Sequence, residues 1–335
     1  MTSRPWVADP TVAWVIALTA RVREPVTPER VRAGLAATGL DCAVEGSEPS
    51  PEASLLARAT APGPTALRAV VAGRDLALAA EHQHCDGLGL LALLGTTLPA
   101  SPTSSARGVG DRPPSGGGTA AAVRRLREAA LTPPATVAPG PPGAGDGDSF
   151  VRLTVPGRVP VAELVRASVA AVRAHNHDRG ARTDRIAVAI GASRDGGAAP
   201  VVRDRSALLR LRDVERLSGD ALREAIRSAL PEAPPPGSGG GSRLVGAMAT
   251  AAMGLLSGRL GSTLLVSHLG EVEADGVEDL AFYPVTGGGS GVSVGAVGLR
   301  GTTVVTLRAR RHRHPPLTLE ELGRRVLDEL TSAPS

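Results

Sequence analysis

Residues 79–94 read AAEHQHCDGLGLLALL, and this stretch decides the fold because it places a polar turn between two apolar runs. The run before the turn, RDLALAAEH, is typical of a buried β-strand, and the run after it, GLGLLALLGTTL, is typical of a helix. Two histidines, a cysteine and an aspartate lie within residues 82–86. Polar side chains at a strand–helix junction commonly line a cleft where chemistry takes place. We therefore take this turn as the candidate functional site.

The turn supports three chemical interpretations and one structural interpretation. His82 is a candidate general base, because imidazole titrates near neutral pH and can accept a proton from an attacking hydroxyl or amine. Asp86 would then pair with an arginine, and Gly87 would permit a tight turn. The spacing His82-x-His84-x-Asp86 suits zinc, in a zinc hydrolase with bound water as nucleophile. Cys85 is a candidate nucleophile beside a histidine. The structural interpretation is a polar turn in a binding or scaffold protein.

The zinc and cysteine interpretations have the weaker support in the sequence. Gly87 stands where the HxHxDH zinc motif has a further histidine, and the later histidines show no matching spacing. A cysteine and a histidine one residue apart on a turn rarely reach the geometry of a nucleophile and its base. We therefore predict no metal ion, and we prefer the hypothesis of a general base at His82.

The composition excludes some classes of partner. Aromatic residues make up only 1% of the chain, so the core is built from Leu, Val and Ala, and base-stacking nucleic-acid modules are disfavoured. The net charge is +4, from 37 basic and 33 acidic residues, and every basic residue is an arginine. These arginines are interleaved with acidic residues, which indicates a solvated surface. We predict no nucleic-acid partner.

The cysteines and the apolar runs indicate a cytoplasmic protein. Cys42 and Cys85 form neither a disulfide framework nor a paired CxxC motif, which fits a reducing compartment. The apolar segment TVAWVIALTARV alternates as a strand does and lacks the basic start of a signal peptide. No run approaches the roughly 18 apolar residues of a membrane span.

The pattern of elements predicts two α+β halves joined by a linker. Residues 1–100 form an N-terminal half with the polar turn, and residues 150–335 form a C-terminal half. Residues 101–149 are rich in Pro and Gly and contain one short helix candidate at 119–131. Residues 243–260 are a further helix candidate. Neither half shows the strict strand–helix alternation of a doubly wound fold.

Local signals predict where individual elements begin and end. The segment VTPERVRAGLAATG predicts a helix capped by Thr27, with proline at its first position and Gly39 as its stop. The segment EASLLARAT, residues 52–60, is interpreted as a short strand. Ser218 and Thr318 are the predicted caps of two later helices.

Two motifs carry a resemblance to a known superfamily. The pattern His82-x-x-x-Asp86-Gly87, between a strand and a helix, resembles the HxxxDG signature of the chloramphenicol-acetyltransferase-like superfamily. This superfamily includes CoA-dependent acyltransferases, polyketide-associated acyltransferases and condensation domains of non-ribosomal peptide synthetases. The segment VSHLG, residues 266–270, resembles the SNLG strand end in the second half of several members.

The resemblance implies two similar halves, each with a mixed sheet and helices, and a channel between them. It implies an enzyme in which His82 deprotonates a small-molecule acceptor, an amine or a hydroxyl, that attacks a thioester carbonyl. The thioester, on CoA or on an acyl or peptidyl carrier protein, is a substrate, and no cofactor is implied. Asp86 and Gly87 complete the catalytic motif, and Asp86 is expected to form a salt bridge with an arginine of the second half. The residues expected along the channel are Glu81, His84, Cys85, Arg194, Ser267 and His268.

Roles follow from the resemblance for three of these channel residues. Arg194 is the candidate salt-bridge partner of Asp86, and Ser267 or His268 is expected to contact the tetrahedral intermediate. Glu81 stands where condensation domains usually carry a first histidine, although several acyltransferases lack that histidine too. We therefore predict an acyltransferase or condensation-type enzyme of natural-product biosynthesis. The alternative is a repurposed relative, a cyclase or a binding or scaffold protein, that uses the same channel.

Overall fold

The structure is a computed structural model that describes residues 14–115, 124, 127–143, 145–232, 261–286 and 291–332. The elements of the first part are β1 Val15–Val22, α1 Pro28–Ala36, β2 Cys42–Gly46, α2 Glu52–Ala59, β3 Leu67–Ala72, β4 Asp75–Glu81, α3 Gly87–Gly95 and β5 Thr103–Ser104. The elements that follow are β6 Asp148–Pro156, α4 Val161–His177, β7 Val188–Ser193, β8 Ser206–Leu211, α5 Gly219–Ser228, β9 Leu264–Glu273, β10 Val277–Tyr283, β11 Val292–Leu299, β12 Thr302–Arg310 and α6 Pro316–Thr331.

The strands form two mixed sheets. The first sheet has the order β10-β1-β4-β3-β2, and in its centre Leu18 of β1 pairs with Leu78 of β4 and Phe282 of β10. The second sheet has the order β6-β12-β11-β9-β7-β8, and β5 pairs with β9 beside this path. β9 runs parallel to β7 and β11, whereas β12 is antiparallel to its neighbours. The predicted α+β class with mixed sheets is confirmed.

The described residues form two hydrophobic cores, and the first also includes Leu269 and Val297 of the second sheet. The first core joins the inner face of the first sheet to helix α3 through Ile16, Leu18, Leu90 and Phe282. The second core joins helices α4 and α6 to the second sheet, and it includes Val165, Val188, Ile190, Val266 and Leu322. Burial of such aliphatic side chains contributes about 25 cal/mol per Å² of apolar surface removed from water. The core is therefore rich in Leu, Val and Ala, as the composition predicts.

The first sheet also contains a strand from the second half of the chain. Strand β10 follows β9 in sequence but pairs with β1 in the first sheet, with Ala17 opposite Tyr283. Residues 103–110, at the start of the Pro/Gly-rich segment, also bond to the second sheet. Thr103 pairs with Glu273 of β9, and the N–H of Val109 donates to the Ser193 carbonyl at 2.8 Å. Both connections lock the two sheets together.

Helix α1 confirms the local prediction. The Thr27 hydroxyl accepts a hydrogen bond from the Arg30 N–H at 3.3 Å, Pro28 is the first helical residue, and Gly39 has φ of +73°. Glycine adopts this left-handed conformation without the steric cost of a Cβ atom. The start and stop signals of this helix are thus encoded within the segment itself.

Three other local predictions have different outcomes. The strand expected at EASLLARAT is wrong, because these residues form helix α2, whose Leu55, Leu56 and Ala59 are buried on one face at helical spacing. The cap at Thr318 is wrong, because α6 begins at Pro316, where the missing N–H of proline suits the first turn. Ser218 precedes α5, but its side chain makes no capping hydrogen bond.

Two predicted helices fall partly or wholly outside the described residues. Residues 127–131 are helical, and most of the remaining candidate at 119–131 lies outside. The helix predicted for residues 243–260 lies entirely outside the described part. In the described ranges, no helix has both the length and the apolar character that crossing a bilayer requires.

Candidate functional site

The polar turn lies between β4 and α3, as the sequence predicts. Asp86 immediately precedes α3, and its Oδ1 accepts a hydrogen bond from the Gly89 N–H at 2.9 Å, which satisfies one free donor of the first helical turn. The backbone N–H of His82 donates to the Trp14 carbonyl at 2.6 Å, which anchors the turn beside the start of β1. The turn is therefore held at both of its ends by the first sheet and its helix.

Two glycines allow close packing at the start of α3. A Cβ atom on Gly87 would lie 2.6 Å from Cδ2 of Leu269 and 3.1 Å from Cζ of Phe282. A Cβ atom on Gly89 would lie 2.5 Å from the Cβ of Cys85 and 3.2 Å from the Arg203 carbonyl oxygen. Glycine suits positions where another segment of the same chain approaches the backbone this closely. The first turn of α3 is thus wedged against strands of both sheets.

The loop between β7 and β8, residues 194–205, brings the second sheet to the turn. The N–H of Asp86 donates to the Arg203 carbonyl at 3.1 Å, and the N–H of Arg194 donates to the Arg205 carbonyl at 2.7 Å. The Asp195 carboxylate forms ion pairs with Arg203 at 2.8 Å and Arg205 at 3.4 Å. These contacts fix the loop as a hairpin that lies directly on the polar turn.

His82 is accessible and faces a carboxylate of this loop. Its side chain is 23% exposed, and its Nδ1 lies 3.8 Å from Oδ1 of Asp204, whose side chain is 21% exposed. The same Asp204 oxygen accepts a hydrogen bond from the Ser206 N–H at 2.9 Å. No sequence motif points to Asp204, because no short-range pattern connects the segment VVRDRS with a histidine more than a hundred residues earlier.

Asp86 is buried, with only 5% of its surface exposed. Its Oδ2 has no hydrogen-bond partner among the described residues. Burial, the largest effect, raises the pKa of Asp86, while the nearby Ser193 hydroxyl, the Gly89 N–H and the His82 side chain oppose this rise. Asp86 is therefore a helix cap whose charge is poorly compensated.

The salt bridge expected between Asp86 and Arg194 does not form. One guanidinium nitrogen of Arg194, Nη1, instead donates to the carbonyl oxygens of Gly110 at 3.2 Å and Arg112 at 3.5 Å. The reason is the ordered segment after β5, which runs beside the end of β7 and offers these carbonyl groups. Arg194 thus holds the connecting segment, and the predicted role of this residue at Asp86 is wrong.

The other residues of the turn do not form a nucleophile or a metal site. Burial raises the pKa of the Cys85 thiol far above its usual range, so this cysteine is a protonated, inert side chain at neutral pH. Nε2 of His84 lies 3.6 Å from Oε2 of Glu81, which also accepts a hydrogen bond from Gln83 at 2.6 Å. In the described part of the chain, no three His, Cys, Asp or Glu side chains are grouped as a metal site requires. The geometry therefore gives the zinc interpretation no support.

His268 has a structural role in β9. Its Nδ1 accepts from the Gly270 N–H at 2.7 Å, so Nε2 carries the proton and donates to the Val159 carbonyl at 2.9 Å. Burial lowers the pKa of His268 to about 4, and the ring is neutral at physiological pH. Both ring nitrogens are occupied by backbone groups. These hydrogen bonds fix the segment that leads into α4, and of the two candidates for contact with an intermediate they leave Ser267 as the one with a free acceptor.

Ser267 lies on β9 opposite Gly191 of the parallel strand β7. Its hydroxyl donates to the Gly191 carbonyl at 3.3 Å, and the residue is partly exposed. This bond uses the single hydroxyl proton, and both lone pairs of the oxygen remain available as acceptors. Contact between Ser267 and an intermediate stays a prediction.

Solved structures of similar fold match nearly the whole chain, whereas sequence comparisons give no match with a family model or a curated protein. The first condensation domain of the calcium-dependent antibiotic synthetase, in complex with a substrate analogue, is 14% identical, with 97% of this chain and 93% of that chain covered and a TM-score of 0.58. A mutant starter condensation domain of rhizomide synthetase RzmA, in complex with C8-CoA and Leu-SNAC, is 11% identical, with coverages of 95% and 89% and a TM-score of 0.57.

A third similar structure is SgcC5 from Streptomyces globisporus. It is 14% identical, with 95% of this chain and 92% of that chain covered and a TM-score of 0.52. At identities this low, the comparisons establish a likeness of fold. This likeness covers nearly the whole chain, with its two sheets. The chain therefore has a fold similar to that of these condensation domains.

Proposed function

We propose that the protein is an acyltransferase of condensation type, which moves an acyl group from a CoA or carrier-protein thioester to an amine or hydroxyl acceptor. The observation that carries this proposal is the position of His82, an accessible imidazole on a turn held rigidly by both sheets of a condensation-type fold. The fold likeness of this chain to the RzmA starter condensation domain, whose structure is a complex with C8-CoA and Leu-SNAC, supports a thioester donor. A role in natural-product synthesis is part of the same proposal.

The proposed reaction needs one base and no further chemical group from the chain. Nε2 of His82 takes the proton from the acceptor N–H or O–H as the acceptor attacks the thioester carbonyl. The tetrahedral intermediate then collapses, the C–S bond breaks, and the thiolate leaves with the proton that His82 had accepted. The products are an amide or ester and the free thiol of CoA or of the carrier.

The surrounding residues position this base without reacting themselves. The Asp86 cap and the Gly87 packing hold the turn, so the imidazole is presented without a large conformational search. The His82 backbone bond to Trp14 fixes the turn from the other side. Since Cys85 is buried and protonated, it offers no competing nucleophile.

The first experiment measures thiol release from acyl-CoA and acyl-pantetheine donors with pooled amine and alcohol acceptors. His82→Ala should lower acceptor-dependent release by about 10²- to 10⁴-fold, the usual contribution of a positioned base. His177→Ala is the matched control, because this histidine is 83% exposed at the last position of α4, and the activity of this variant should stay close to wild type. Equal release from wild type and His82→Ala would remove His82 from the mechanism. Wild type without acceptor-dependent release would favour a relative that binds a ligand without acyl transfer.

A further inference from the structure

Asp204 is the residue through which the second sheet reaches the proposed base. It lies at the end of the β7–β8 loop, two residues before β8, and its Oδ1 is 3.8 Å from Nδ1 of His82. The Ser206 N–H donates to the same oxygen, which orients the carboxylate. The backbone bond from Asp86 to Arg203 sets the loop at a fixed distance from the polar turn.

We propose that Asp204 is a positioning residue for His82: its carboxylate accepts a hydrogen bond from Nδ1–H, so that Nε2 is the basic nitrogen presented to the acceptor. This inference rests on the proposed function for the role of Nε2. A carboxylate that bonds one imidazole nitrogen determines which nitrogen carries the proton and how the ring is oriented. The separation of 3.8 Å exceeds a hydrogen bond, and such contacts commonly shorten when substrate binds.

The other ionisable groups described at the turn are placed differently. Asp86 also interacts with the His82 charge, but it is buried, its Oδ1 caps α3, and burial raises its pKa. His84 pairs with Glu81, and burial keeps the Cys85 thiol protonated. Asp204 is therefore the carboxylate placed to act on the His82 ring, and the site needs both sheets to be complete.

The test uses the tautomer of His82, which an effect on folding alone would not change. The ¹⁵N resonances of the imidazole are recorded at about pH 8.5, where histidine is ordinarily neutral, and they are assigned among the seven histidines by their loss in His82→Ala. The proposal predicts that His82 carries its proton on Nδ1 in the wild-type protein. A wild-type ring protonated on Nε2 overturns the proposal without any variant.

Two substitutions sharpen this test. Asp204→Asn keeps an acceptor for the Ser206 N–H but removes the carboxylate charge, and Asp111→Asn is the matched control because Asp111 is exposed and contacts Arg205 of the same loop at 3.8 Å. We expect Asp204→Asn to shift His82 toward the Nε2-protonated tautomer and to lower kcat by about 10- to 100-fold with little change in KM. This is less than the ~10⁴-fold effect in a buried Ser-His-Asp triad, because Asp204 is partly exposed. Asp111→Asn should change neither quantity.

The outcomes separate this inference from the proposed function. An Asp204→Asn protein with an unchanged tautomer and unchanged kcat overturns the role of Asp204, even where His82→Ala abolishes acyl transfer. If His82→Ala retains full activity, the proposed function fails, whichever tautomer is found. The inference is supported if Asp204→Asn shows both a tautomer shift and a fall in kcat, while Asp111→Asn shows neither.

Discussion

The Asp86 carboxylate lies inside the protein with one oxygen bonded to the Gly89 N–H and the other without a partner among the described residues. Desolvation disfavours the ionised form of such a group, whereas the free N–H groups and the dipole at the start of α3 favour it. The balance leaves the pKa of Asp86 raised from its ordinary value of 3.8. One residue therefore links the geometry of the site to the pH dependence of stability.

The expected sign of this pH dependence follows from linkage. The folded protein keeps the Asp86 proton to a higher pH than the unfolded chain, so the contribution of this group to stability falls as pH rises from its ordinary pKa through the raised one. Asp86→Asn retains an acceptor for the Gly89 N–H but does not titrate. Its Tm should therefore decline less than that of wild type between about pH 4 and pH 7. Scanning calorimetry across this range measures the difference, and parallel Tm profiles for the two proteins would contradict the prediction.

At the scale of elements, the start of helix α3 packs closely against side chains of two strands. Its first residue, Gly87, is in contact range of Leu269 on β9 and Phe282 on β10, which belong to different sheets. The position of the helix start is consequently a property of the packing as much as of the Asp86 cap. A side chain at position 87 would separate the helix from both strands.

Gly87→Ala should destabilise the protein by about 1–3 kcal/mol, the usual cost of inserting a methyl group into a packed core. Gly219→Ala is the matched control, because Gly219 also begins a helix and the nearest atoms to its added Cβ lie 3.9 Å away in the Arg223 guanidinium. This control should be neutral or slightly stabilising. Urea unfolding of both variants gives the free energies, and a Gly87→Ala protein as stable as wild type would refute the account.

At the scale of the whole molecule, buried polar groups join the two sheets. Arg308 of β12 pairs with Asp148 of β6 at 2.7 Å, and the two side chains are 2% and 4% exposed. The Arg308 guanidinium also donates to the carbonyl oxygens of Val15 in the first sheet at 2.7 Å and Pro284 after β10 at 3.2 Å. With its charge paired by Asp148 and with hydrogen bonds to these two carbonyl groups, this arginine bridges both sheets at their junction.

Removal of one partner leaves the other charge buried and uncompensated. Asp148→Ala should therefore destabilise the protein by about 3–5 kcal/mol. Asp75→Ala, which breaks the surface pair with Arg21, a side chain 56% exposed, should cost at most about 1 kcal/mol. Chemical denaturation followed by circular dichroism compares the two. Equal losses would show that the Asp148–Arg308 pair is not the bridge described here.

Most of the local structure could be predicted from the sequence, because its causes lie within a few residues. The alternating run before His82, the cap at Asp86 and the apolar run after it define a strand, a turn and a helix. The helix capped by Thr27 follows from the same short-range chemistry. The strand predicted at EASLLARAT is wrong, because a short apolar run does not distinguish a strand from a helix until its packing is known.

The sequence by itself determined the α+β class and the strand–turn–helix at the candidate site, and it offered His82 as the candidate base. Only the tertiary structure decided that β10 joins the first sheet, that Arg194 binds the connecting segment and not Asp86, and that Asp204 faces His82. Strand alternation and helix capping depend on neighbours along the chain, which a sequence displays directly. Contacts between residues more than a hundred positions apart depend on which strands pair and in what register, and that is settled only when both sheets pack.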